Sequence, residues 1–199
     1  MHAALIRSGL LAALAFGLGA CASLGGTTPP DTYEISSPTT VQRKAGATRA
    51  QLLIPEPTAI KTLDSAQIVI KPTPYTVEYL ANSQWSDRLP RMVQLRFVQA
   101  FENSGRVAAV GVPGQGLAID YQVVMEIRRF EIDADGANRA VVEIAVKALN
   151  DKTGAVRATR VFTQTAPVSG AGNASYVAAL DAAFDRTSAD IVAWMLKLV

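Results

Sequence analysis

Apolar side chains recur along this chain with two different periods, and the switches between them mark out its elements. Gln51-Leu52-Leu53-Ile54 and Gln67-Ile68-Val69-Ile70-Lys71 are short apolar runs. Pro55 and Pro57 close the first and Pro72 and Pro74 the second, so two strands are expected. Pro72-Thr73-Pro74 leads into Tyr75-Thr76-Val77-Glu78-Tyr79, whose odd positions alternate with polar ones. That pattern predicts a hairpin whose second strand is half-buried. After Trp85 the period lengthens. Leu89, Met92, Val93, Phe97, Ala100 and Phe101 recur at three- and four-residue steps, which predicts a helix over residues 88–103. Asp87 is a candidate cap, Pro90 suits the first turn, and Asn103-Ser104-Gly105 supplies the stop. A strand over 106–110 and a loop over 111–116 follow.

The second half of the chain reads as an antiparallel meander. Ile119, Tyr121, Val123, Met125 and Ile127 define one face of a long strand, but Phe130 and Ile132 fall on the other. One extra residue near Arg128-Arg129, a β-bulge, accounts for the switch. Asp133-Ala134-Asp135-Gly136 then turns the chain. Val142, Ile144, Val146 and Ala148 alternate with Glu143 and Lys147 in the returning strand, and Asn150-Asp151-Lys152-Thr153-Gly154 turns into a third strand over 156–165. The last segment, 173–198, carries Tyr176, Leu180, Ala183, Phe184, Thr187, Ile191, Trp194, Met195 and Leu198 on one stripe. It is expected to be a helix covering the sheet, with Asn173 or Ser175 as its cap. The fold class expected is α+β: a mixed, largely antiparallel sheet with a C-terminal three-strand meander, covered by two main helices at about 88–103 and 173–198.

The N-terminal pattern is of a different kind. Arg7 precedes a short apolar stretch from Gly9 to Leu18, and Leu18-Gly19-Ala20-Cys21 ends it with small residues before the only cysteine of the chain. That layout is a bacterial lipoprotein signal with its lipobox. The run is too short to span a bilayer, which takes about 20 apolar residues. Residues 1–20 are therefore expected to be removed, and Cys21, at the first mature position, to be acylated through its sulfur with palmitate-type chains. From Ala22 to about Gly46 the chain is rich in Ser, Thr, Gly and Pro, a composition that does not bury enough surface to order itself. Residues 21–48 are read as a lipidated flexible tether and 49–199 as one globular domain. Tyr33-Glu34-Ile35 interrupts the tether as an edge strand or docking segment.

Composition narrows the chemistry. Arg7 is the only charged residue in the signal, so the net charge of +2 falls to +1 in the mature chain. Nucleic acid is excluded as a partner because phosphate binding needs concentrated positive charge. His2, the only histidine, lies inside the signal. The mature chain thus lacks histidine bases, Ser-His-Asp and Cys-His nucleophile systems, and imidazole zinc sites. Asp133-x-Asp135-Gly136 resembles the start of a calcium loop without its distal glutamate, so a polar hairpin tip is favoured. Gly111-Val112-Pro113-Gly114-Gln115-Gly116 lacks the Lys-Ser/Thr of a phosphate-binding loop. Carboxylate-only hydrolysis needs no histidine, and a cell-envelope hydrolase stays open on that ground. Trp85 and Trp194 read as core residues or as stacking platforms.

The order of these pieces resembles the auxiliary lipoproteins of ABC-type transport systems, including the paraquat-inducible intermembrane transport group. The resemblance is carried by Tyr33-Glu34-Ile35, Ile68-Val69-Ile70, Tyr75, Glu78-Tyr79, Ala81-Asn82-Ser83-Gln84-Trp85 with Leu89-Pro90, Phe101-Glu102-Asn103-Ser104-Gly105 and the Phe130 strand. It implies a non-catalytic, periplasm-facing lipoprotein without cofactor or metal. Its implied partners are an MCE-domain protein, an ABC permease and an ATPase, moving lipid between membranes. Ala22, not aspartate, follows Cys21, so the family-like expectation is sorting to the outer membrane. Tyr79 and Trp85 are candidate partner contacts, with core packing as the competing role. Homo-oligomerisation is compatible with such assemblies, and a lipid carrier is the alternative function.

Overall fold

A computed structural model of the chain describes residues 29–36, 47–136 and 138–199. The signal, Cys21 and most of the tether, residues 22–28 and 37–46, lie outside the described residues. Nine strands form one mixed sheet among the described residues: β1 (Asp31–Tyr33), β2 (Gln51–Leu53), β3 (Thr58–Ala59), β4 (Gln67–Thr73), β5 (Thr76–Trp85), β6 (Ala109–Gly111), β7 (Tyr121–Asp133), β8 (Arg139–Asn150) and β9 (Val156–Pro167). Two helices, α1 (Leu89–Ser104) and α2 (Asn173–Met195), complete the domain. The expected α+β class holds, and the C-terminal meander is β7-β8-β9.

β7 is the organising strand. One edge pairs antiparallel with β8 from Tyr121↔Asn150 to Asp133↔Arg139. The other edge is shared end to end by three short parallel strands: β2 at Tyr121–Gln122, β3 at Glu126–Ile127 and β4 at Glu131–Asp133. These short parallel pairings carry no long periodic signal, and β3 was not expected from the sequence. The bulge falls where the apolar pattern required it, since Ile127 faces Ile144 and Arg129 faces Glu143, leaving Arg128 without a partner position. Val123, Met125 and Ile127 before it and Phe130 and Ile132 after it are consequently all buried on one face.

Both helices cover that face. α2 lies on β7, β8 and β9, and α1 packs against α2 and β6. Phe184 of α2 is the centre of the core: its ring meets Phe97 of α1 edge-on at 5.6 Å and Phe130 of β7 at 5.9 Å. Phe130 in turn meets Trp85 of β5 edge-on at 5.9 Å. Trp194 packs edge-on against Phe162 of β9, with centroids 5.6 Å apart. Gly105 ends α1 in the left-handed region at φ 59°, as the Asn-Ser-Gly stop predicts.

The caps differ from expectation. Asp87 accepts a hydrogen bond from the Arg88 amide at 2.6 Å, but Arg88 is the cap residue and no side chain caps α1. Asn173 does not cap α2 either. Its side-chain amide donates to the Ala81 carbonyl and the Ser83 hydroxyl, both at 2.8 Å, tying the helix start to β5. Ser175 donates to the Ala171 carbonyl at 2.9 Å. α2 also stops at Met195, short of residue 198. The strand expected over 106–110 is only β6, two residues shorter and shifted to pair with β2.

The tether needs correction as well. β1 pairs in parallel with β5, from Asp31↔Ser83 to Tyr33↔Trp85. Ile35 is buried, and Asp181 of α2 accepts from the Ser36 amide and hydroxyl, both at 2.7 Å. Residues 31–36 thus belong to the folded body although they lie inside the 21–48 stretch, because one buried isoleucine and a vacant strand edge outweigh a polar composition.

At the opposite end of the sheet Asp120 forms a clasp. Its carboxylate accepts from the Gln51 amide at 3.0 Å and from Lys152 Nζ at 2.7 Å. The start of β2 and the β8–β9 turn are thereby fixed to the start of β7. Phe184→Ala is expected to lower unfolding free energy by about 3–5 kcal/mol, the range for an aromatic ring removed from a packed core. Val161→Ala, on exposed β9, should stay within about 0.5 kcal/mol. Urea denaturation of the two variants measures the difference, and equal effects would contradict the central placement of Phe184.

Candidate interaction surface

The bulge that keeps the core apolar also decides what the other sheet face presents. Beyond Arg128, the side chains of Arg129, Glu131 and Asp133 turn away from the helices. With Lys71 and Thr73 of β4 and Asp135 of the following turn they line a shallow cleft of about 270 Å³. Two of its carboxylates are matched by arginines. Arg129 Nε donates to Glu131 at 2.8 Å, and Arg129 and Arg139 approach Asp133 at 3.7 and 2.9 Å. The hydrogen bond from Arg139, reinforced by the Asp135 amide and the charge of Arg129, holds the Asp133 carboxyl below its ordinary range. Carboxylates kept ionised in this way are poor proton donors, since a general acid needs the opposite shift.

The two loop motifs resolve in the same direction. The Asp133 carboxylate accepts from the Asp135 amide at 3.2 Å, closing a local turn, and its other oxygen takes Arg139. No group of three metal-ligating side chains occurs among the described residues. In the 111–116 loop, Gln115 Oε1 accepts from the Val112 amide at 3.0 Å, and a Cβ on Gly111 would strike Leu117 at 2.5 Å. Gly111 therefore serves a close packing contact.

A second, wider cleft of about 590 Å³ runs between β1 and α1, with Glu34, Met92, Leu95 and Arg96 on its walls. Arg96 is its structural pin. Nε donates to the Ile35 carbonyl at 2.7 Å, and the guanidinium pairs with Glu34 at 3.2 Å. Arg96 lies on the polar flank of the α1 stripe, and its i,i+3 partner Gln99, at 2.9 Å, was the only local sign of its role.

The candidate contacts Tyr79 and Trp85 are separated by the fold. Trp85 is 2% exposed against Phe130, the packing role, and does not reach the surface. Tyr79 is 43% exposed, with Val77 equally so and Tyr75 at 96%. The alternation of Tyr75, Val77 and Tyr79 was read as a half-buried strand. β5 forms there, but this stretch of the β4–β5 hairpin lies beyond the helical cover, and the apolar positions face outward. The sequence showed only that residues 72–77 contain no charge. It did not show that the hairpin would project.

The sheet and both helices fall inside a match to a known family. The family described as ABC-type transport auxiliary lipoprotein component matches residues 33–192. The chain belongs to this family. A crystal structure of a Xanthomonas campestris protein superposes with a TM-score of 0.78 at 29% identity, over 84% of this chain and 96% of that one. An uncharacterized protein of Bradyrhizobium diazoefficiens is 33% identical over 178 residues, which are 88% of this chain and 48% of the relative. The auxiliary lipoprotein thus spans about half the length of that curated relative. A Chlamydia trachomatis structure shares the fold alone, with TM-score 0.55 at 10% identity and coverage of 76% and 98%. An auxiliary lipoprotein of ABC-type transport is a cell-envelope component, as the N-terminal pattern implies.

Asp133 titrates below its unfolded value, so its stabilising contribution is complete above the ordinary carboxylate range near pH 4. That contribution is lost as the pH falls through the folded value. Asp120, held down first by the hydrogen bond from Lys152, behaves in the same way. Asp133→Asn is expected to lower stability at neutral pH and to shrink the further loss in acid. Urea midpoints recorded from neutral pH down to about pH 2 test this, and an unchanged acid slope would count against the Arg139 pairing.

Proposed function

We propose that this auxiliary lipoprotein is a non-catalytic subunit of an ABC/MCE-type lipid transport system. It is acylated at Cys21 and anchored in the outer membrane, and its folded body docks an MCE-domain protein in the periplasm. The observation that carries this proposal is the family match over residues 33–192, which runs from β1 almost to the end of α2. Further support comes from the Leu18-Gly19-Ala20-Cys21 sequence and from a mature chain with neither histidine nor a second cysteine. Acyl chains contribute about 0.8 kcal/mol per buried methylene, so attachment needs no basic surface.

The side chains between sheet and helices favour docking over carrying. Trp85, Phe97, Phe130 and Phe184 fill that space, and both clefts described above open on the surface. A lipid tail needs an enclosed apolar channel, and the hairpin-side cleft is walled by ion pairs. Glu131 and Asp133 there are engaged by arginines, which disfavours the hydrolase alternative.

Cys21→Ser is expected to move the protein from the membrane fraction to the soluble fraction and to remove the acyl mass from its N-terminus. Crosslinking of the mature wild-type protein in intact cells should recover an MCE-domain protein, identified by mass spectrometry. Failure to recover one, with lipid transport unchanged in a deletion strain, would sink the docking role. A lipid retained by the Cys21→Ser domain in native mass spectrometry would instead favour the carrier.

A further inference from the structure

We infer that the tip of the β4–β5 hairpin rests in the lipid–water interface of the membrane that holds Cys21; this rests on the anchoring proposed above. The hairpin tip, residues 72–77, reads Pro-Thr-Pro-Tyr-Thr-Val and carries no charge. Thr73 and Thr76 pair their hydroxyls across the turn, and Tyr75 projects at 96% exposure. Val77 and Tyr79, two residues apart on one face of β5, extend the same surface at 43% exposure each. An exposed tyrosine with aliphatic and proline neighbours is suited to the headgroup boundary, where an amphipathic ring keeps its hydroxyl wet and its body in apolar surroundings.

The course of the chain brings this surface and the anchor together. β1 runs parallel to β5, so the chain upstream of Asp31 leaves toward the end of the sheet where the β4–β5 hairpin turns. From Ser83, the partner of Asp31, back to Tyr75 is eight residues, at most about 26 Å if fully extended and less here, because the register against β4 shifts between Tyr79 and Gln84 around Asn82 at φ 54°. Cys21 lies ten residues before Asp31, a contour of up to about 33 Å. The anchor can thus reach the level of the hairpin tip. Because β1 is pinned by Arg96 and Asp181, a membrane-bound Cys21 keeps the hairpin within a few nanometres of the lipid. Tethering makes the contact intramolecular, and even a weak interfacial preference is then satisfied.

The neighbouring turn does not oppose this orientation. Lys71 pairs with Asp133 in register, so β7 ends below the tip while β4 continues to Thr73. Asp133 is matched by Arg129 and Arg139. With acidic and basic groups so balanced, the surface fits zwitterionic headgroups and gains nothing from anionic ones. In this orientation the Asp120–Lys152 end of the sheet points away from the membrane, toward soluble partners.

The acylated protein has no free thiol, so Pro74→Cys introduces a single site for an environment-sensitive fluorophore at the tip. Val161→Cys provides the equivalent site on exposed β9. Each labelled, acylated protein is reconstituted through Cys21 into phosphatidylcholine vesicles containing a nitroxide lipid, and the acyl group is verified by mass. The label at 74 should be quenched several-fold more than that at 161, and Tyr75→Ser with Val77→Ser should remove most of the difference. Equal quenching at the two sites on acylated protein overturns the hairpin contact and leaves the anchor intact. Absence of the acyl mass defeats the anchoring itself, and this inference with it. Shielding of position 74 that appears only when an MCE-domain protein is added also overturns it and assigns the tip to a protein interface.

Discussion

The constraint on which the domain depends is that β7 must serve two edges and two faces over its whole length. Its face toward the helices has to be apolar from Val123 to Ile132, yet strict alternation would bring Arg129 and Glu131 into the core after Ile127. The unpaired Arg128 removes that conflict by shifting the register by one residue against β8. Without the shift, Phe130 would leave the aromatic cluster and the charged side chains of Arg129 and Glu131 would be turned into the core. Burying charges costs several kcal/mol each unless every partner follows. One inserted residue therefore decides both the composition of the core and the charged character of the outer face.

Within the largely aliphatic core that results, a chain of rings links the helices to the sheet. Phe184 links α1 through Phe97 to the sheet through Phe130, and Trp85 carries the contact on to β5. Edge-on and tilted ring pairs add about 0.5–1.5 kcal/mol each to the area they bury. A filled interior leaves the outer faces, the hairpin and the clefts as the places where an auxiliary subunit can act. The arginines divide between these tasks: Arg96 holds the N-terminal strand to α1, while Arg129 and Arg139 keep the acidic end of β7 electrically balanced.

The short parallel pairings have a mechanical consequence. β1 is only three residues long, and such a strand holds its place through Ile35, Arg96 and Asp181 as much as through its ladder. By docking on β5 it joins residues 31–36 to the folded body.

Period and punctuation carried much of the fold in the primary structure. The α1 and α2 stripes, the Gly105 stop, the long meander strands and the Arg128 bulge are local patterns, legible because each depends on side chains close in sequence. The family resemblance was legible for the same reason, in ordered short segments. What the sequence left open depends on contacts distant along the chain. Asn173 could cap α2 or reach β5, and only the position of Ala81 and Ser83 decided it. β3 has two residues and no signal apart from the β7 edge that receives it. Trp85 and Tyr79 lie on the same strand, but the register against β4 shifts between them, and only Trp85 is turned into the core. Alternation determines which side chains share a face, whereas burial depends on what the rest of the chain lays over that face.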